Sequence, residues 1–443
     1  VLVRHLRLQH RRRGPRRFAA ALALSLCAAP VALVATPVAP ATAAEGSDCL
    51  QTDDSPDPVS GTNTPYERLD IPEAHEELSR LGIAAGGGVD VVVVDSGMKV
   101  GALTQLRPDG YEGGTEVVTP HASVVAGIVN GPDQPADGAD PAVPIGFAPA
   151  ARVHSVWVYE APATGEDASE EVQYPSASVL AEGLQAVAAQ LRSGQLSART
   201  VVVVPFVVAR TGALRSALDA VIGAGGLVVA TGGDRPAESA GSVLGDFAVS
   251  EGTLPPPADA RGLAWPAAHP EVLAVGVDPV PWGAEANGSF LPNSDIDIAA
   301  PAGDGVSRGL DGRACWLEAP SSDWAAAEVG GVAALVWSRF PTADASAIRQ
   351  RLLRTADGNV TTNSPFTGQG VVQPVAALER RAGAWTEDAG ASSTEAAQRA
   401  PAPRKPADVL AETRSEAVWW GLVCGGLLVV ALTLRPVLAR RRR

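Results

Sequence analysis

Two residues in the first third of the chain have the type and the setting for acid–base work. Asp95 directly follows an apolar run in VVVVDSG, and His121 opens the apolar segment HASVVAGIVNG. A carboxylate at the end of a buried strand, beside a tight turn, is what orients an imidazole for proton transfer. A histidine at a helix start presents its ring to a cleft. Each also has a plainer reading, since D-S-G is a common turn and a single histidine more often caps or packs. After residue 44 only His75, His121, His154 and His269 remain, so the choice of imidazole is narrow. A third stretch, SSDWAAAEVGGVAALVWSRFP at 321–341, reads as the start of a buried helix with Asp323 in its first turn.

Elements must bring these groups to one edge of a core. Near-continuous apolar runs at 89–94, 152–158, 201–208, 226–230 and 272–277 predict strands buried on both faces. Helical patterns at 122–129, 176–191 and 213–222 alternate with them. The alternation predicts an α/β fold, a doubly wound parallel sheet with helices on both faces. Sites in such sheets form beyond the carboxyl ends of the strands, where Asp95 stands. Asp70 and Pro72 predict a capped helix running to Leu81, and Gly86, Gly87 and Gly88 break the chain before the first strand. No internal repeat is visible.

The two ends differ from this body. Residues 1–44 carry seven arginines and no acid, then an apolar run at 18–35, then small residues ending Ala41-Thr42-Ala43-Ala44. That order predicts a secretory signal peptide cleaved near Ala43 or Ala44, in preference to a retained helix, which Pro30, Pro37 and Pro40 disfavour. Residues 417–434 hold 18 residues without a charge, flanked by Trp419 and Trp420 and by Arg435 and the arginines at 440–443. They predict a transmembrane helix with a cytoplasmic basic tail at 435–443, leaving the body extracytoplasmic, a single-pass protein of the cell membrane. Residues 45–65 are a polar arm, 66–380 the folded domain and 381–416 a Pro- and Ala-rich linker.

Twelve of the 35 basic residues lie in those ends and all 49 acids lie between, leaving 23 cations in the body. So acidic a body repels nucleic acid and anionic lipid, and neither is expected as its partner. Of four cysteines, Cys27 and Cys424 fall in the end segments. Cys49 and Cys315 remain in an oxidising compartment, and one disulfide between them is expected.

The order of DSG, then HASVVAGI, then GFAPAARV at 146–153 resembles the subtilisin-like serine peptidases. LVVATGGD at 227–234, HPEVLAVGVD at 269–278, DIDIAAPAGD at 295–304, GGVAALVWSRFP at 330–341 and GQGVVQPVAAL at 368–378 extend the likeness over roughly residues 66–380. With its leader, cysteine-bearing arm, linker and anchor the chain is most similar to the mycosins. These are membrane-anchored subtilases associated with type VII secretion in actinobacteria. The resemblance implies an Asp–His–Ser peptidase with Asp95 and His121 in the first two places.

The third place departs from the family. Its nucleophile lies in G-T-S-x-A-A-P-x-V-[SA]-G, and the ungapped register puts Ser321, Ser322 and Asp323 on G, T and S. Asp323 therefore stands where the nucleophile belongs, with a capping role at the helix N-terminus as its structural reading. The oxyanion asparagine of A-[AS]-G-N falls on Gly233, which has no amide. The strand that pairs with substrate, V-I-N-x-S in the family, falls on Val203, Val204, Pro205 and Phe206, and Pro205 removes a backbone donor. Figures from subtilisin itself put the loss of the serine at about a millionfold and of the oxyanion donor at about a hundred- to thousandfold. An inactive homologue acting as a scaffold or accessory subunit, with membrane proteins of a secretion complex as partners, is the expectation. An active endopeptidase processing secreted proteins and a non-cleaving module that binds polypeptide are the alternatives. No cofactor is expected, and although relatives often bind calcium structurally, no metal-ligand cluster is legible.

Overall fold

Alternate valines point to opposite faces of one sheet and seed a core on each. The computed structural model describes residues 48–50, 59 and 61–380, except 100, 133, 137–138, 162–173, 237–241, 249–257, 283–289 and 359–362. The expected signal peptide at 1–44, linker at 381–416, transmembrane helix at 417–434 and tail at 435–443 lie outside the described residues. Among the described residues no helix is long and apolar enough to cross a membrane.

In chain order the strands are β1 (Asp90–Asp95), β2 (Gln105–Leu106), β3 (Gln134–Ala136), β4 (Ala139–Val143), β5 (Arg152–Trp157), β6 (Thr200–Val204), β7 (Leu227–Thr231), β8 (Leu273–Val277), β9 (Ile298–Ala300), β10 (Gly305–Arg308) and β11 (Ala314–Leu317). The helices are α1 (Thr64–Arg68), α2 (Ile71–Arg80), α3 (His121–Asn130), α4 (Ala177–Ser193), α5 (Gly212–Gly223), α6 (Ser322–Arg339), α7 (Ala345–Thr355) and α8 (Pro374–Glu379). Seven strands form a parallel sheet in the order β2-β5-β1-β6-β7-β8-β9. Two antiparallel hairpins, β3 with β4 and β10 with β11, stand beside it.

Val91 and Val93 of β1 and Val201 and Val203 of β6 join the core on the α3 and α6 side, while Val92, Val94, Val202 and Val204 join the one under α4 and α5. This is the two-sided burial expected of a parallel sheet. α6 is apolar nearly all round and is enclosed from Trp324 to Ser338. Glycine lets it come that close: a Cβ on Gly330 would lie 2.7 Å from Val203 Cγ2, and one on Gly331 would lie 2.8 Å from Phe147 Cβ. The middle of α6 thus rests its bare glycine backbone on the Val203 and Phe147 side chains.

Cys49 and Cys315 form a disulfide with 4.8 Å between Cα atoms, closing a sequence separation of 266 residues. The Cys49 N–H also donates to the Trp316 carbonyl at 2.9 Å, so the arm is stitched to β11. Glu328, buried in α6, receives the Ala302 N–H at 3.2 Å and holds the turn after β9. Burial pushes its carboxyl up to about 8, against the opposing pull of that N–H and of Arg68.

Two local expectations differ from the structure. β6 stops at Val204 instead of running on to Val208, because Pro205 has no N–H to continue the ladder. Val208 instead pairs antiparallel with Trp265. Asp70 precedes α2 but its side chain caps nothing; its backbone sits at φ 50°, in the left-handed region, and its carbonyl accepts from Ala74.

Gly331→Ala should lower stability. Alanine gains about 1 kcal/mol of helix propensity, but overpacking a closed core costs about 1–3 kcal/mol, and Phe147 Cβ cannot swing away. Urea unfolding should show a net loss of about 1 kcal/mol, and an unchanged or higher midpoint would contradict so close an approach.

Candidate active site

The carboxyl end of β1 and the first turn of α3 converge on one hydrogen bond. His121 Nδ1–H donates to Asp95 Oδ2 at 2.7 Å, with the Asp95 side chain fully enclosed and that of His121 16% exposed. Asp95 Oδ1 receives the Tyr159 hydroxyl at 2.7 Å and the Ser96 N–H. Ser96 Oγ in turn accepts the Ala122 N–H at 3.2 Å, which fastens the turn after β1 to the start of α3. Trp324 packs on the imidazole with ring centres 4.9 Å apart.

The other edge of the ring faces a second carboxylate. His121 Nε2 lies 3.4 Å from Asp323 Oδ2, whose side chain is 26% exposed. Burial works against charge on this ring, but Asp95 and Asp323 together override it and raise the His121 pKa from 6.5 to about 10. At neutral pH both ring nitrogens therefore carry protons, and neither offers a lone pair.

The N-terminus of α6 is capped by other groups than expected. Ser321 Oγ accepts the Asp323 N–H at 3.1 Å and donates to Asp234 Oδ2 at 2.6 Å. The Ser322 N–H donates to both Asp234 oxygens at 3.0 Å. Asp323 itself turns its carboxylate away from the cap and toward His121. Burial first, and the nearby Asp323 charge second, push Asp234 up to about 6. Ser322, the neighbouring hydroxyl, is 1% exposed and hydrogen-bonds Thr231 Oγ1 at 2.5 Å. It points into the protein, off the imidazole.

Gly233 follows β7 at φ 86°, with its N–H on Thr231 Oγ1 at 3.2 Å. A Cβ there would lie 2.7 Å from Leu244 Cδ1. An amide at this position would thus need both a strained backbone and a displaced leucine. Beside it runs a groove of about 410 Å³ lined by Phe206, Val207, Val208, Asp234 and Asp323 among others. Of the residues expected to face substrate, Phe206 lines the groove, whereas Val203 and Val204 are enclosed within β6.

The subtilase family model matches residues 107–372. The chain belongs to the subtilase family. It is 28% identical over 344 residues to Mycosin-1 of Mycobacterium tuberculosis, covering 70% of this chain and 71% of that protein. The crystal structure of MycP1 from Mycobacterium smegmatis shares the fold, with a TM-score of 0.54 at 21% identity over 76% of this chain and 88% of that one. A chain from the periplasmic assembly of the ESX-5 inner membrane complex aligns with a TM-score of 0.50 at 22% identity, over 78% and 90%.

Asp95, His121 and Asp323, far apart in this subtilase sequence, are brought together, and Gly233 and Phe206 border the same groove. Sequence reasoning did not single out Tyr159 or Asp234. The available signal was position: Asp234 follows β7 and Tyr159 follows β5 at carboxyl ends of the sheet, the edge already marked by Asp95.

The raised His121 pKa has a definite sign. Its contribution to stability is complete below the unfolded value near 6.5 and is lost as pH rises toward about 10. Imidazole ¹⁵N shifts should show His121 doubly protonated at pH 8, with the midpoint falling by about one pH unit or more in Asp323→Asn. A wild-type midpoint near the ordinary histidine value would contradict the double ion pair.

Proposed function

We propose that this chain is a non-cleaving, mycosin-like member of the subtilase family, a scaffold or accessory subunit of a type VII secretion complex outside the cytoplasmic membrane. One observation carries the loss of cleavage: a carboxylate, Asp323 Oδ2, stands 3.4 Å from His121 Nε2 where an acyl-transfer enzyme needs a nucleophilic hydroxyl. An aspartate attacking an amide would form an anhydride, which is uphill, and the imidazolium beside it cannot act as a base. Where an oxyanion would seek donors, the Asp234 carboxylate already takes the Ser322 N–H and repels further negative charge. The active-endopeptidase reading lacks a placed serine, since Ser322 is enclosed against Thr231.

The secretion reading is supported by the likeness to Mycosin-1 along most of both chains. The neighbour from the ESX-5 inner membrane complex is itself part of such an assembly. Residues 417–434 supply the proposed anchor, and the acidic body between the two basic ends keeps the domain off an anionic membrane surface. A peptide-binding role has the groove of about 410 Å³ in its favour, although Pro205 takes one ladder donor out of the strand that would border the peptide.

Two experiments test the proposal. Asp323→Ser alone should give no hydrolysis of peptide substrates above the wild-type background, because Gly233 and Asp234 leave the oxyanion without a side-chain donor, a deficit of about a hundred- to thousandfold on its own. Rapid turnover by that single variant would show the remainder of the site to be competent and the loss to be one residue deep. Crosslinking in native membranes followed by affinity isolation should recover the chain with integral membrane proteins; recovery of the chain alone would count against the subunit role.

A further inference from the structure

Among the described residues Arg308 has no counter-charge, in a body crowded with acids. It ends β10, and its guanidinium Nε is enclosed with no hydrogen-bond partner. No carboxylate among the described residues comes within ion-pair distance of it. The nearest acid in the β10–β11 turn, Asp311, is engaged by Arg313, which brings its side-chain Nε to 3.5 Å and its backbone N–H to 2.9 Å. Burial pushes Arg308 below its ordinary value, with no opposing charge to restore it.

A second orphan faces the same place. Ser123, one turn into α3, is 3% exposed, and its Oγ has no partner. Helical serines commonly return the proton to the preceding turn, and this one does not. Ser123 and Arg308 line one small cavity with Met98, Gly101, Asn130 and Gly309. Asn130 donates one amide N–H to the Ala151 carbonyl at 3.2 Å, and the enclosed side-chain atoms of this lining without a partner are Arg308 Nε and Ser123 Oγ. The walls are rigid, since a Cβ on Gly127 would lie 2.4 Å from Ser307 Oγ and 2.8 Å from the Arg308 nitrogen. α3 and β10 are in backbone contact beside the cavity.

We propose that Arg308 and Ser123 form a binding site for one small monovalent anion of halide size. The free space is about 10 Å³, enough for a single water-sized body and too small for sulfate or phosphate. A water could accept from both donors but carries no charge, whereas an anion would also offset the charge of the half-buried guanidinium. A halide takes both donors and neutralises the charge. The site lies on the same helix as His121, so its ligand stabilises the element that carries the imidazole. It is independent of whether the active site cleaves.

The test uses the full chain in detergent. Thermal unfolding is followed as sodium chloride or bromide replaces sodium gluconate at fixed ionic strength, with sodium sulfate as a size control. Halide should raise the wild-type midpoint by about 2–4 °C, with no such gain from sulfate. The gain should vanish in Arg308→Gln and shrink in Ser123→Ala, a variant that keeps the helix should the first fail to fold. Crystals soaked in bromide should show anomalous density between the two side chains. No halide dependence, an equal gain from sulfate, an undiminished gain in the folded variants, or water alone in the cavity would each overturn the proposal.

Discussion

An imidazole gripped on both edges by carboxylates is the interaction on which the rest of this site depends. With Asp95 at 2.7 Å from Nδ1 alone, His121 would be an oriented, tunable base. Asp323 near Nε2 changes the character of the ring, because a second negative charge stabilises the protonated form and removes the lone pair that proton abstraction requires. The same three-element junction of β1, α3 and α6 that assembles a catalytic triad here assembles an ion-pair lock. Trp324 packs against the ring, with centres 4.9 Å apart.

The lock has consequences at the α6 N-terminus. A helix start offers unpaired N–H groups and a favourable dipole for a developing oxyanion. In this chain Asp234 and Ser321 take those groups, and Gly233 supplies no amide in compensation. Charge balance then becomes local: Asp95 and Asp323 flank one imidazolium, while burial first, and the Asp323 charge second, push the neighbouring Asp234 up to about 6. What remains is an acid-lined end of a parallel sheet.

Much of this was legible in the sequence because it follows from side-chain period and strand ends. Continuous valine runs encode strands buried on both faces, and they are where the sheet stands. Asp95 and His121 were candidates from their place at a strand end and a helix start, the resemblance to the subtilases singled them out, and Asp323 followed from an ungapped register against that family's nucleophile motif. The Cys49–Cys315 bridge followed from compartment and elimination. Less legible were features decided by tertiary contact. Nothing local says that Asp323 turns toward His121 instead of capping its helix, because that choice depends on Asp234, 89 residues earlier, having taken the cap. The end of β6 at Val204 was readable from Pro205 but was masked by the valines beyond it. Asp70 matches a cap by residue type, yet its left-handed backbone carries the carboxylate away.

The central claim, that no serine in this site is activated, is met most directly by a serine-directed fluorophosphonate probe. The folded chain and its Asp95→Ala variant would be treated side by side, with labelling read by intact mass. Neither protein should take the label. Labelling of the wild type that disappears in Asp95→Ala would mean that a hydroxyl is poised on His121 after all, and the ion-pair lock would have to be abandoned.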